Sequence, residues 1–195
     1  QFADARLKAA AHVHSRPMLE QVLQHMRNTD RRVAKLMQTR LDALKQALLT
    51  EQEAQRCVAS ALKLVQEPQL MPNQVADLDR VWHAVVAAPE PMRRQFDDAR
   101  SALRERLEAQ AQLQRSALDL VTRLRSLAAS PTTLAASDMA GTLATLAQEM
   151  TRLQASTEML SLPRHLLPEF EQQYVNCTRK LALLEQQGNA ISARH

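Results

Sequence analysis

The stretch VADLDRVWHAVVAAPEPMRRQFDDARSALRERL, residues 75–107, decides how the chain is read. It holds Trp82, the single tryptophan, and Phe96, one of three phenylalanines. An apolar-patterned segment bearing Trp82 runs into Pro89 and Pro91, and a second bearing Phe96 leaves on the other side. Proline lacks a backbone donor and fixes φ, so it stops one helix and suits the first turn of the next. The pattern predicts a helical hairpin whose two aromatics seal its closed end. Trp82, Phe96 and the later Phe170 are expected in the structural core.

Composition extends this to the whole chain. Hydrophobic residues make up 45%, enough for a real core, and only 2 residues are Gly. Ala, Leu, Gln, Glu and Arg dominate, and these lose little side-chain freedom in a helix. The expected class is all-α, with almost no strand. Cys57 and Cys177 fall inside apolar helical patterns and read as small buried thiols of a reducing compartment, not as a disulfide framework. No apolar run approaches the ~20 residues a membrane-spanning helix needs. Nothing at the start reads as a secretory signal, and a first residue of Gln1 is compatible with a fragment of something longer.

The chain divides by its prolines and polar turns. A first helix is expected over 2–13. Ser15 and Pro17 open the second, with Met18, Leu19, Val22, Leu23 and Met26 inward. Asn28, Thr29 and Asp30 mark a turn and an N-cap. The third helix meets no breaker before Pro68, far beyond the ordinary ~10–14 residues. Its stripe is Val33, Met37, Leu41, Leu44 and Leu48, then a polar waist at 50–56, then Cys57, Val58, Ala61, Leu62 and Val65. Asn73 caps the fourth helix, with Val75, Leu78, Val81, Trp82, Val85 and Val86 inside. The fifth starts near Pro91 and repeats the layout, with a waist at 108–115 and a second stripe of Leu118, Val121, Leu124 and Leu127. After the loop at 129–137, Asp138 caps a sixth helix running to about Leu160. The last carries Leu166, Phe170, Tyr174, Cys177, Leu181 and Leu184, and frays after Gly188.

An internal register emerges. Phe96 and Phe170 each follow a proline-bearing turn, and the same spacing aligns Leu103 with Cys177 and Leu107 with Leu181. Three tandem pairs, each a short helix followed by a long one, describe the chain, with the long helices serving two cores and the bundles in an elongated row. The expected domains are 1–67, 68–129 and 130–195.

Two stretches resemble a bacterial family. Residues 5–45, ARLKAAAHVHSRPMLEQVLQHMRNTDRRVAKLMQTRLDALK, look like a HEAT-like helix pair, and the Trp82–Phe96 hairpin follows. That order resembles the proteins grouped as "domain of unknown function 349", although Trp82 has no counterpart near Ser156. The resemblance implies a cytoplasmic bacterial helical protein and transfers no catalytic residue.

Several chemistries find no footing. Gly141 and Gly188 are isolated, so no phosphate-cradling loop exists and no cofactor is expected. His12 and His14 diverge on a helix, and neither Cys has ligand spacing, so no metal site is expected. No nucleophile elbow accompanies a base. Asp97 and Asp98 diverge and form no carboxylate pair. The chain is expected to be no enzyme and to take no small-molecule substrate.

Charge is the remaining signal. Residues 1–46 hold nine Lys or Arg against four Asp or Glu, and the rest hold sixteen against seventeen. Arg27, Arg31, Arg32 and Lys35 cluster at a helix start and are the candidate contacts for a phosphate or an acidic partner. The competing reading is a solvated face with ion pairs to Asp30 and Glu20. Two functions follow. One is a non-enzymatic helical scaffold that binds another protein. The other is an RNA- or DNA-binding protein using the basic first quarter.

Overall fold

The structure is a computed structural model and describes residues 2–130 and 135–192. The middle of the 129–137 loop lies outside the described residues. The fold is all-α. Among the described residues there are seven α-helices and one short 3₁₀ turn: α1 (Phe2–Ala10), α2 (Arg16–Met26), α3 (Arg31–Gln66), α4 (Pro72–His83), α5 (Glu90–Ala129), α6 (Ala136–Gln154), the turn Met159–Ser161, and α7 (Leu166–Ser192). Their starts follow local chemistry. Asp30 accepts the N–H groups of Arg32 and Val33 at 3.1 and 3.4 Å, capping α3 as its sequence signals. Pro17, Pro72 and Pro91 all sit in first turns.

Some boundaries differ from expectation. Asn73 does not cap α4, which begins at Pro72; Gln74 instead accepts the Met71 N–H at 3.0 Å. Asp138 lies in the first turn of α6, where its charge suits the helix dipole, and Ala135 occupies the cap position. Ser15 sits at the N-cap of α2 without a side-chain bond. Helix α6 stops at Gln154, short of Leu160, and α7 continues past Gly188 to Ser192.

The chain forms two compact units. The first comprises Gln1–Leu62 and Asp77–Ala99, the second Lys63–Ala76 and Arg100–His195, so α3, α4 and α5 each contribute to both. In the first unit, Ala10, Leu19, Val33 and Met37 form a small core, flanked by Leu7, Val22, Leu23, Met26 and Leu41. Trp82 and Phe96 also belong to this unit, with rings stacked at 4.0 Å and 6°. Phe96 is buried, but Trp82 is only half-buried, which corrects its expected place in the core. The indole stacks on Phe96, and α4 ends one residue later, at His83.

The second unit has the larger core. Leu120, Val121 and Leu124 of α5 meet Met139, Leu143, Leu146 and Met150 of α6 and Phe170, Cys177 and Leu184 of α7. A smaller cluster joins Leu113 and Ala117 to Leu162 and Leu166. One face of the α5 waist, with Gln110 and Leu113, is therefore buried, while Glu108, Ala109, Gln112 and Arg115 stay exposed. Ion pairs brace the surface, with Arg123 on Glu149 at 2.8 Å and Arg125 on Glu169.

Several residues read as inward are exposed: Phe2, Met18, Leu44, Leu48, Leu62, Val81, Val86 and Leu118. The stripe of α5 runs through Leu113, Ala117, Leu120, Val121 and Leu124, which turns Leu118 outward. Val86 falls beyond α4, in a turn where Ala87 holds φ 59°. A left-handed alanine is strained by contact of its Cβ with the following carbonyl. Ala87→Gly should therefore raise stability by about 0.5–1 kcal/mol, seen as a higher urea midpoint with an unchanged slope.

Candidate interaction surface

Helix C-termini leave carbonyls without intrahelical partners. Three of them here are closed by a cation from a later long helix. Arg40 of α3 donates through Nη1 to the carbonyls of Ala10 and Val13, at 3.2 and 2.6 Å, beyond α1. Arg106 of α5 donates to Leu64, Val65 and Glu67, at 3.3, 3.0 and 2.8 Å, at the end of α3. Lys180 of α7 donates to Leu127, Ala128 and Ser130 at the end of α5. The register that pairs Phe96 with Phe170 also pairs Arg106 with Lys180, and their carbonyl acceptors are spaced identically. A second register pairs Met37 with Leu103, both fully buried, and Arg40 with Arg106. The cation both satisfies the orphan carbonyls and opposes the negative end of the dipole.

Arg106 does more than the other two. Its Nε reaches Glu158 Oε1 at 2.6 Å and its Nη2 reaches Oε2 at 3.2 Å, a two-point clamp. Gln110 completes the set, donating to Glu158 Oε2 at 2.8 Å and to the Leu70 carbonyl at 3.2 Å. Glu158 and Gln110 are both buried. The Arg106 hydrogen bond holds the Glu158 carboxyl below the usual range, against the opposing effect of burial, with Gln110 adding to the lowering. A depressed folded pKa means stability that is full above the unfolded value near ~4.3 and lost as pH falls through the folded one. Glu158→Gln should therefore cost most at neutral pH. The gap from the parent protein in urea denaturation should shrink between about pH 5 and pH 3.

The four cations singled out from sequence are all exposed, at the α2–α3 turn. Arg27 is the C-cap residue of α2, and Arg31, Arg32 and Lys35 lie in the first turns of α3. Arg32 meets Asp4 at 3.4 Å, while Arg27, Arg31 and Lys35 have no ion pair among the described residues. The expected pairs to Asp30 and Glu20 are not formed. Asp30 is taken up by the helix cap, and Glu20 binds Arg16 at 2.9 Å. Three cations at a helix N-terminus oppose the dipole, so they do not stabilise α3.

Sequence reasoning missed a second surface. A groove of about 690 Å³ runs between the start of α2 and the middle of α3, with Leu41, Leu44, Leu48 and Leu49 along its floor and Arg16, Glu20, Asp42 and Lys45 at its rim. Leu44, Leu48 and Leu49 are exposed by 42%, 47% and 44%, too much for core residues. From Lys35 to Leu41 is roughly 9 Å along the helix, so the basic turn adjoins the near end of the groove. Its signal was the run of leucines entering a polar waist.

Among the described residues, no group of three or more His, Cys, Asp or Glu could hold a metal ion, and no helix is long and apolar enough to cross a membrane. Cys57 and Cys177 are buried free thiols, both pushed up by burial. Glu53 adds to the rise at Cys57, and Lys180 partly offsets it at Cys177. The Cys177 thiol donates to the Leu124 carbonyl at 3.4 Å, so neither sulfur is a poised nucleophile. No protein-family model, curated protein or solved structure matches the chain.

Proposed function

We propose that the protein is a non-enzymatic helical scaffold that binds another protein through its first unit. The exposed leucines of the α3 groove carry this reading. Three neighbouring leucines on one helix face, open to solvent, are costly to leave uncovered and suit a contact surface. Tandem helical pairs commonly present grooves of this kind. Affinity purification from lysate, with and without nuclease, tests it: a stoichiometric protein partner that survives nuclease is expected, and recovery of none overturns it.

A second reading is kept by a separate observation, the three unpaired cations Arg27, Arg31 and Lys35. As a nucleic-acid contact they predict salt-sensitive mobility shifts, lost when all three become Glu. Binding that ignores salt, or no shift at all, removes it.

A further inference from the structure

We propose that the basic turn extends onto α1 and holds a nucleic-acid phosphate backbone with four cations, Lys8, Arg27, Arg31 and Lys35. This rests on the nucleic-acid reading of that turn and adds its extent and its mode; the scaffold reading does not depend on it. Charge is concentrated there. Residues 1–35 hold seven Lys or Arg against three Asp or Glu, and residues 36–195 hold eighteen of each, so the whole net charge of +4 falls in the first 35 residues. Around the turn itself, Lys8, Arg27, Arg31, Arg32 and Lys35 face two carboxylates, Asp4 and Asp30, a surplus of three positive charges with both acids counted in full. The next charges along α3, Arg40, Asp42 and Lys45, add no net negative charge.

Lys8 joins the turn through the packing of α1. Asp4 accepts from Arg32 at 3.4 Å, and Arg40 donates to the carbonyls of Ala10 and Val13, so α1 lies along the first turns of α3. Lys8 is one helical turn past Asp4 and shares its edge, whereas Phe2 and Arg6, each two residues from Asp4, do not. On α3, Arg32 and Lys35 are three apart and therefore neighbours, and Arg31 and Lys35 are one turn, ~6 Å, apart. Lys8 is exposed and has no ion pair among the described residues, like Arg27, Arg31 and Lys35. What surrounds the cations selects the anion. Between Arg27 and Thr39 every exposed residue is polar. A protein contact needs an apolar centre, and a membrane contact needs apolar side chains to insert. A phosphate backbone needs neither, and the exposed Asn28 is of a type that donates to its oxygens. No Phe, Tyr or Trp occurs from residue 3 to residue 81, so the face has no ring to stack on bases and binding rests on phosphate charge.

The test uses the full chain and fluorescein-labelled mixed-sequence nucleic acids of ~20 nucleotides, single- and double-stranded, long enough to offer four phosphates. Fluorescence anisotropy is read across a salt series. Four neutralised phosphates give log affinity against log salt a slope of about −3.6 on a duplex and about −2.8 on a single strand, which tells the two apart. Lys8→Ala, at an exposed position outside the turn, should make the slope shallower by about one, with an unchanged circular dichroism spectrum. Lys63→Ala, at an exposed cation near the far end of α3, should leave it unchanged. Phosphatidylserine vesicles and polyglutamate, offered as other polyanions, should bind more weakly than either nucleic acid. Salt-sensitive binding whose slope Lys8→Ala does not alter overturns the four-cation face and leaves the reading of the three-cation turn standing. No binding to either nucleic acid, or tighter binding to the vesicles or to polyglutamate, removes both.

Discussion

Arg106→Met should destabilise the second unit by about 3–5 kcal/mol, the range for breaking a buried pair by removing one partner. The side chain is 19% exposed and that of Glu158 only 7%, so solvent cannot replace the lost contacts. Methionine retains much of the aliphatic packing but none of the donors. Three carbonyls at the end of α3 lose their partner, and the Glu158 carboxylate is left buried with Gln110 alone. Urea denaturation followed by circular dichroism reads the loss. Arg106→Lys sharpens the interpretation, because Lys180 shows that an ammonium can hold the same carbonyl pattern. It cannot reproduce the two-point clamp on Glu158. Arg106→Lys should therefore fall between the parent and Arg106→Met, at about 1–2 kcal/mol. Equal losses for both variants would show that the clamp, and not the carbonyl cap, holds this unit.

Phe96→Ala should cost about 3–4 kcal/mol, as expected for removing a buried aromatic ring. Phe96 is 3% exposed, and its removal opens a cavity and strips the stacking partner from Trp82. Trp82→Ala should cost less, about 2 kcal/mol, because the indole is half-buried. The double variant isolates the stack itself, with a coupling of about 1 kcal/mol. Tryptophan emission adds a direct readout. In the parent protein it should lie between buried and solvated positions, and in Phe96→Ala it should move to the red.

Helix identity was legible because its signals are local. Pro68 and Pro72, then Pro89 and Pro91, separate α3, α4 and α5 where the sequence places them. Asp30 caps α3, and both cysteines lie in apolar stripes and are buried. The errors have a common cause. Apolar spacing defines a helix face relative to that helix alone. Leu44 and Leu48 continue the stripe of Val33 and Met37, yet they stay 42% and 47% exposed. Leu118 sits beside a stripe of the same period, one residue out of phase. In the α5 waist, Gln110 is buried because Glu158 and the Leu70 carbonyl meet its amide.

By itself, the sequence determined an all-α chain, the long helices, their proline-marked ends and the basic bias of the first quarter, since propensity, capping and charge act within a few residues. Tertiary structure alone decided which leucines are bare and which cations close helix ends. Arg40, Arg106 and Lys180 look in sequence like any other surface charge. Their role exists only because a distant helix ends within reach of each, and a carbonyl from another part of the chain leaves no mark on local spacing.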